Sequence, residues 1–191
     1  MRRRLILSGP IGCGKSTLIK NAVCDRAARA GGFITVRARE NGELRGFDLM
    51  PARALVCPGQ EARRFLDFGE SGAKRDGSVF SDYAAVLLSQ ARTAPFAVVD
   101  EFGGWELMIP EFREALEAFL RSDTPCVGVL KSLAAAEELD RRIGLGGEYL
   151  AAARALREAL GADENTLLLE TGGRYDTGAE GKLRAWAEEY A

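Results

Sequence analysis

The chain has 191 residues, of which 47% are hydrophobic and 28% are charged, and its formal net charge is −2. This length and apolar content suffice for one core, so we expect a single domain over residues 1–191. The small net charge gives no general attraction to nucleic acid or membrane, so neither partner is expected. The absence of histidine excludes Ser-His-Asp triads and histidine-containing metal sites. No apolar run reaches the length of a transmembrane segment or of a signal peptide, so a cytoplasmic protein is expected.

The first predicted strand covers residues 5–8 and is followed by GPIGCGKST at residues 9–17. This segment fits the phosphate-loop (P-loop, Walker A) pattern G-x-x-x-x-G-K-[ST], in which backbone N–H groups and a helix N-terminus surround phosphate oxygens. In this interpretation Lys15 reaches the β- and γ-phosphates and is catalytic, while Ser16 ligates Mg²⁺. The nucleotide-binding residues are predicted to be Gly9, Pro10, Ile11, Gly12, Cys13, Gly14, Lys15, Ser16 and Thr17.

Apolar residues at helical spacing predict a helix from about residue 15 to residue 27, ended by Gly31 and Gly32. Two β-prone stretches, residues 33–37 and 44–50, then flank the Asn-Gly pair at residues 41–42, which predicts a β-hairpin. Residues 54–57 are interpreted as a possible third strand. The charged and glycine-rich residues 60–77 are interpreted as mostly loop.

Strands and helices alternate in the second half of the chain. The predicted elements are a helix over residues 79–90, a strand over 96–99, a helix over 112–120, a strand over 126–130, helices over 134–142 and 148–160, a strand over 166–169 and a helix over 179–190. This alternation predicts an α/β, P-loop NTPase fold with a mainly parallel sheet, helices on both faces and the antiparallel hairpin at one edge.

The predicted strand over residues 96–99 ends in two adjacent acids, Asp100 and Glu101. Ligands of parallel sheets bind beyond the carboxyl ends of the strands, which is also where the phosphate loop is expected. Asp100 is therefore a candidate Walker B acid that ligates Mg²⁺ with Ser16, and Glu101 is a candidate catalytic acid that polarises the attacking water.

Phosphoryl transfer also calls for a cation that stabilises the transition-state charge. Lys131 follows the predicted strand over residues 126–130 and is one candidate, and Arg174 near the end of the chain is another.

The acid pair favours hydrolysis of ATP or another nucleoside triphosphate, because a carboxylate beside the metal ligand suits water activation. Two alternatives stay open. One is a P-loop kinase that phosphorylates a nucleotide or other small acceptor. The other is a nucleotide-dependent binding switch, with residues 61–77 as its moving element.

The segments GPIGCGKST, GFITVRARENGELRGFDL and FAVVDEFGGWEL resemble the small P-loop nucleoside-triphosphatase family first studied in thermophiles and known in human as the cancer-related nucleoside-triphosphatase. The chain departs from the family pattern at Gly104, where lysine is frequent, and at Trp105, which replaces methionine. Gly173 stands where asparagine is expected. The resemblance implies a Mg²⁺-dependent nucleoside triphosphatase that is slow and tolerant of the base, on a fold related to RecA and AAA-type ATPases. The matching positions are Gly32, Phe33, Thr35, Arg39, Gly46, Phe47, Asp48, Asp100, Glu101, Gly103, Glu106 and Leu107.

Overall fold

A computed structural model describes residues 2–56, 62–69, 72–172 and 176–191. The strands are β1 (Arg4–Ser8), β2 (Ala30–Glu40), β3 (Glu43–Pro51), β4 (Arg63–Gly69), β5 (Gly72–Arg75), β6 (Phe96–Phe102), β7 (Cys126–Leu130) and β8 (Thr166–Glu170). The α-helices are α1 (Lys15–Val23), α2 (Ala85–Ala91), α3 (Pro110–Leu120), α4 (Leu133–Ile143), α5 (Gly147–Ala162) and α6 (Thr177–Tyr190).

All eight strands belong to one sheet with the spatial order β5-β4-β3-β2-β6-β7-β1-β8. The five strands from β2 to β8 in that order run parallel to one another, whereas β3, β4 and β5 are joined by antiparallel pairing at one edge. The predicted α/β architecture is therefore confirmed. No helix in the described ranges is both long and apolar enough to cross a membrane.

Helices cover both faces of the sheet because its central strands are apolar on both sides. In β1, Leu5 and Leu7 pack against α1 and α6, whereas Ile6 faces the opposite layer, which is built mainly from α2, α3 and α5. β1, β6 and β7 are buried along almost their whole length. Because these three strands are also parallel, their carboxyl ends meet at one edge of the sheet.

The predicted hairpin is confirmed and is longer than expected. β2 and β3 pair from Phe33 opposite Pro51 to Glu40 opposite Glu43. Asn41 and Gly42 form the turn with φ values of 51° and 85°, as a two-residue connection of this type requires.

The strand predicted over residues 54–57 is wrong. After Pro51 the chain forms a short 3₁₀ turn, Ala52–Leu55. The i, i+3 spacing of a 3₁₀ turn places Ala52 and Leu55 on the same side, and both pack in the layer that contains α1. Cys57 lies outside the described residues.

The loop predicted over residues 60–77 is also wrong, because β4 and β5 occupy most of it. Their strand character is hidden in the sequence by exposed charged residues, which edge strands tolerate. The anchoring side chains are Phe65 and Phe68, whose rings lie 6.3 and 6.1 Å from the ring of Phe47.

Smaller differences concern helix ends. The helix after the phosphate loop is α-helical only to Val23 and continues as a 3₁₀ helix, Cys24–Arg29. The helix predicted from residue 79 starts as a π-helical segment, Val79–Ala84, before α2. A further 3₁₀ turn, Trp105–Met108, follows β6 and was not predicted.

Candidate functional site

The phosphate loop connects β1 to α1, and its glycines have the positive φ values that the loop requires. The values are 152° at Gly9, 75° at Gly12 and 100° at Gly14. A Cβ atom at Gly9 would lie 2.2 Å from the carbonyl oxygen of Thr171, directly after β8. The start of the loop is therefore packed so closely against the neighbouring backbone that only glycine fits.

The Lys15 ammonium lies inside this loop. Its Nζ donates to the carbonyl oxygens of Gly9 at 3.0 Å and Pro10 at 2.7 Å, and it is 3.7 Å from the Sγ of Cys13. The side chain is buried. Lys15 is thus held at the concave side of the loop by neutral acceptors, and phosphate oxygens would form stronger, charge-assisted bonds with it.

Ser16 and Asp100 form the second part of the site. The Ser16 hydroxyl donates to Asp100 Oδ1 at 3.0 Å, although the two residues come from α1 and β6. Asp100 is 4% exposed. The pKa of Asp100 is raised to about 7, mainly because burial disfavours the charged carboxylate. The negative charge of Glu101 also raises this pKa, whereas the hydrogen bond from Ser16 and the positive charge of Lys15 lower it.

Glu101 is bound by a lysine that directly follows β7, the next strand of the sheet. The Lys131 Nζ donates to Glu101 Oε1 at 2.7 Å, and both side chains are partly buried. The Lys131 backbone N–H bonds to the carbonyl oxygen of Phe102 at 2.8 Å. The structure therefore brings the predicted Lys131 to the acid pair, whereas Arg174 lies outside the described residues.

Three further side chains reach this edge of the sheet and were not predicted as site residues. Arg157 of α5 donates to the Ser8 hydroxyl at 3.1 Å and pairs with Glu170. Glu106 and Tyr149 are buried and bond to the backbone of the turn after β6. Only Glu106 had a sequence signal, its match to the family segment, because the other two come from a helix without a motif.

Oxygen ligands for a divalent cation are present in the Ser16–Asp100 pair. A hydroxyl and a carboxylate suit Mg²⁺, which in nucleotide sites keeps few protein ligands and completes its shell with phosphate oxygens and water. The described part of the chain contains no cluster of three or more His, Cys, Asp or Glu residues that could hold a metal ion. The donor set therefore fits a cation that is shared with a nucleotide.

The chain is similar to known proteins in both sequence and structure. A family model described as NTPase matches residues 4–160. Nucleoside-triphosphatase THEP1 from Metallosphaera sedula is 31% identical over 129 residues, which are 65% of this chain and 68% of that protein. Nucleoside-triphosphatase THEP1 from Thermotoga petrophila is 30% identical over 135 residues, which are 67% and 72% of the two chains.

Two solved structures have the same fold. The crystal structure of THEP1 from Aquifex aeolicus gives a TM-score of 0.63 at 18% identity and covers 97% of this chain and 99% of that one. The solution structure of a human cancer-related nucleoside triphosphatase gives 0.60 at 17% identity, over 96% and 94% of the two chains.

Proposed function

This chain belongs to the NTPase family, and from that premise we propose that it hydrolyses nucleoside 5′-triphosphates to the diphosphate and phosphate, with Mg²⁺, slowly and with little preference for the base. One observation carries the proposal. The acid pair at the end of β6 is bonded to the phosphate-loop serine through Asp100 and to a lysine through Glu101.

In this proposal the phosphate loop holds the triphosphate through its backbone N–H groups and Lys15. The Lys15 ammonium exchanges the Gly9 and Pro10 carbonyls for phosphate oxygens as the nucleotide binds. These contacts all go to phosphates, which supports tolerance of the base.

Ser16 and Asp100 would hold Mg²⁺ through one hydroxyl and one carboxylate oxygen. The bound cation supplies neutralisation of the charge on the phosphate oxygens. Because carboxylate ligation requires the deprotonated form, Asp100 has to lose the proton that its burial favours.

Glu101 accepts a proton from the attacking water while the water oxygen bonds to the γ-phosphorus and the bond to the β-γ bridging oxygen breaks. The Lys131 ammonium is 2.7 Å from Glu101, so this positive charge lies next to the carboxylate that orients the water. A positive charge there stabilises the oxygens of the transferring phosphoryl group.

The test of this function is the Glu101→Gln variant. We expect phosphate release from ATP to fall by about 10² or more, because the amide cannot accept the proton, while ADP affinity stays within about twofold since the phosphate loop is intact. The control is Glu114→Gln, an exposed residue of α3, which should behave as wild type.

Two outcomes would contradict the proposal. A Glu101→Gln protein with normal phosphate release removes the catalytic role of Glu101. Negligible phosphate release by the wild-type protein, rising strongly when one small acceptor is added, would instead identify a kinase.

A further inference from the structure

The side chain of Lys131 crosses a turn that carries no side chains of its own. A Cβ atom at Gly104 would lie 3.2 Å from Lys131 Cε, and one at Gly103 would lie 3.5 Å from Lys131 Cβ. The two glycines therefore lie along the Lys131 side chain, one near its Cβ atom and the other near its Cε atom. A side chain at position 104 would stand in the path by which the ammonium reaches Glu101.

Glu106 holds one peptide group of this turn. Its Oε1 accepts the backbone N–H of Gly104 at 2.6 Å, and its Oε2 would be 2.6 Å from a Cβ atom at the same position. The residue is 5% exposed. A carboxylate placed so close to a backbone N–H in a buried turn restricts the orientation of that peptide group.

Tyr149, from another element, holds the other side of the same peptide group, which joins Gly103 to Gly104. Its hydroxyl donates to the carbonyl oxygen of Gly103 at 3.2 Å, and the side chain is fully buried at the start of α5. The turn is thus bound from two sides by buried groups that come from separate parts of the chain.

We propose that Glu106 and Tyr149 are positioning residues that hold the Gly103–Gly104 turn beneath Lys131 and so place the Lys131 ammonium against Glu101. Their link to turnover rests on the proposed function of Glu101. Their effect on Lys131 is a property of the nucleotide-free protein and is testable without turnover.

Two mild variants perturb the turn. Tyr149→Phe removes one hydroxyl. Gly104→Ala adds one methyl group, whose carbon would lie 2.6 Å from Glu106 Oε2 and 3.2 Å from Lys131 Cε, so it perturbs both the carboxylate that holds the turn and the lysine stem above it. The matched controls are Tyr190→Phe in α6 and Gly161→Ala in α5, where a Cβ atom meets nothing within 4 Å.

The first measurement is the acylation rate of Lys131 in nucleotide-free protein, and mass spectrometry detects the acylated lysine. Acylation needs a nitrogen lone pair that faces the reagent, and a lysine nitrogen held against Glu101 at 2.7 Å presents none, so we expect both variants to raise this rate at least about threefold. The exposed Lys182 in α6 serves as the internal standard. Its rate should not change.

The second measurement is kcat at saturating ATP in the wild-type and Lys131→Met backgrounds. We expect each variant to lower kcat about tenfold in the wild-type background, with ADP affinity preserved, and to have no further effect when Lys131 is methionine.

An unchanged Lys131 acylation rate in both variants would overturn the proposal. So would equal loss of kcat in both backgrounds, because damage that bypasses Lys131 acts whether or not the lysine is present. Normal turnover by Glu101→Gln would refute the catalytic role of Glu101 instead. The acylation rates would still decide whether the turn positions Lys131.

Discussion

At the scale of single residues, Asp100 combines deep burial with a charge that its proposed role requires. Its side chain accepts one hydrogen bond from Ser16 and lies next to the negative charge of Glu101. Without a cation, the folded protein favours the protonated carboxyl as long as the pH is below the Asp100 pKa of about 7. The buried Asp100 carboxylate, in its charged form and without the proposed cation, therefore destabilises the folded protein.

This burial predicts how stability depends on pH in the presence of a chelator. The pKa of Asp100 is about 7 in the folded chain and 3.8 in its unperturbed state. Between these values the folded chain binds a proton that the unfolded chain does not, so the free energy of unfolding falls as pH rises towards 7. From pH 5 to pH 8, wild type should lose about 2 kcal/mol more than Asp100→Asn in urea unfolding. Parallel pH profiles would contradict the prediction.

At the scale of elements, a chain of aromatic rings connects the antiparallel edge to the turn after β6. The ring of Phe80 lies 5.1 Å from that of Phe65 in β4, 5.2 Å from that of Trp105 and 5.4 Å from that of Phe112 in α3. β4 is thus fixed to the 3₁₀ turn that contains Glu106. The switch hypothesis takes residues 61–77 as its moving element, and within that range the structure places the paired strands β4 and β5.

The position of Phe80 predicts its contribution to stability. Phe80 is 2% exposed, so Phe80→Ala should destabilise the protein by about 3–5 kcal/mol. The matched control is Phe68→Ala in the same aromatic chain. Phe68 is only partly buried, and we expect a loss of about 1 kcal/mol. Urea unfolding, monitored by circular dichroism, measures both losses. Equal losses would contradict the prediction, because burial would then not set the contribution of the two rings.

At the scale of the whole molecule, the strand order of the parallel sheet brings the residues of the candidate site together. β7 lies between β1 and β6, and the carboxyl ends of these three strands lead to the phosphate loop, the acid pair and Lys131. Because the strands are buried from both faces, a nucleotide bound at this edge contacts groups that the whole fold holds in place. Nucleotide binding should accordingly stabilise the whole sheet and the helices packed on it.

The proposed tolerance of the base predicts similar thermal shifts for different nucleotides. A ligand at 100 times its Kd adds about 2.7 kcal/mol to the free energy of unfolding, or about 5–10 °C in Tm for a chain of this size. Non-hydrolysable analogues of ATP, GTP, CTP and UTP, all with Mg²⁺ and all at one concentration that is 100 times the Kd of the ATP analogue, should give Tm values that agree within about 2 °C. A Tm shift that is several degrees larger for one analogue than for the others would reveal a base-specific pocket.

The sequence by itself determined the phosphate loop, the β2–β3 hairpin and the α/β architecture. These features depend on neighbouring residues: glycines at positions of positive φ, an Asn-Gly turn and alternating apolar strands and helices. The rule that ligands bind at the carboxyl ends of parallel strands also predicted the edge where Asp100 and Lys131 lie.

Only the tertiary structure decided which side chains meet at that edge, and that β4 and β5 are strands. Ser16 meets Asp100 across 84 positions, Lys131 meets Glu101 across 30, and Tyr149 meets Gly103 across 46. Such contacts depend on strand order and helix packing, which are set by burial over the whole chain. β4 is a strand because β3 offers it a backbone partner and Phe80 anchors Phe65, and β5 is a strand because β4 pairs with it in turn. The groups that hold β4 therefore lie outside residues 60–77.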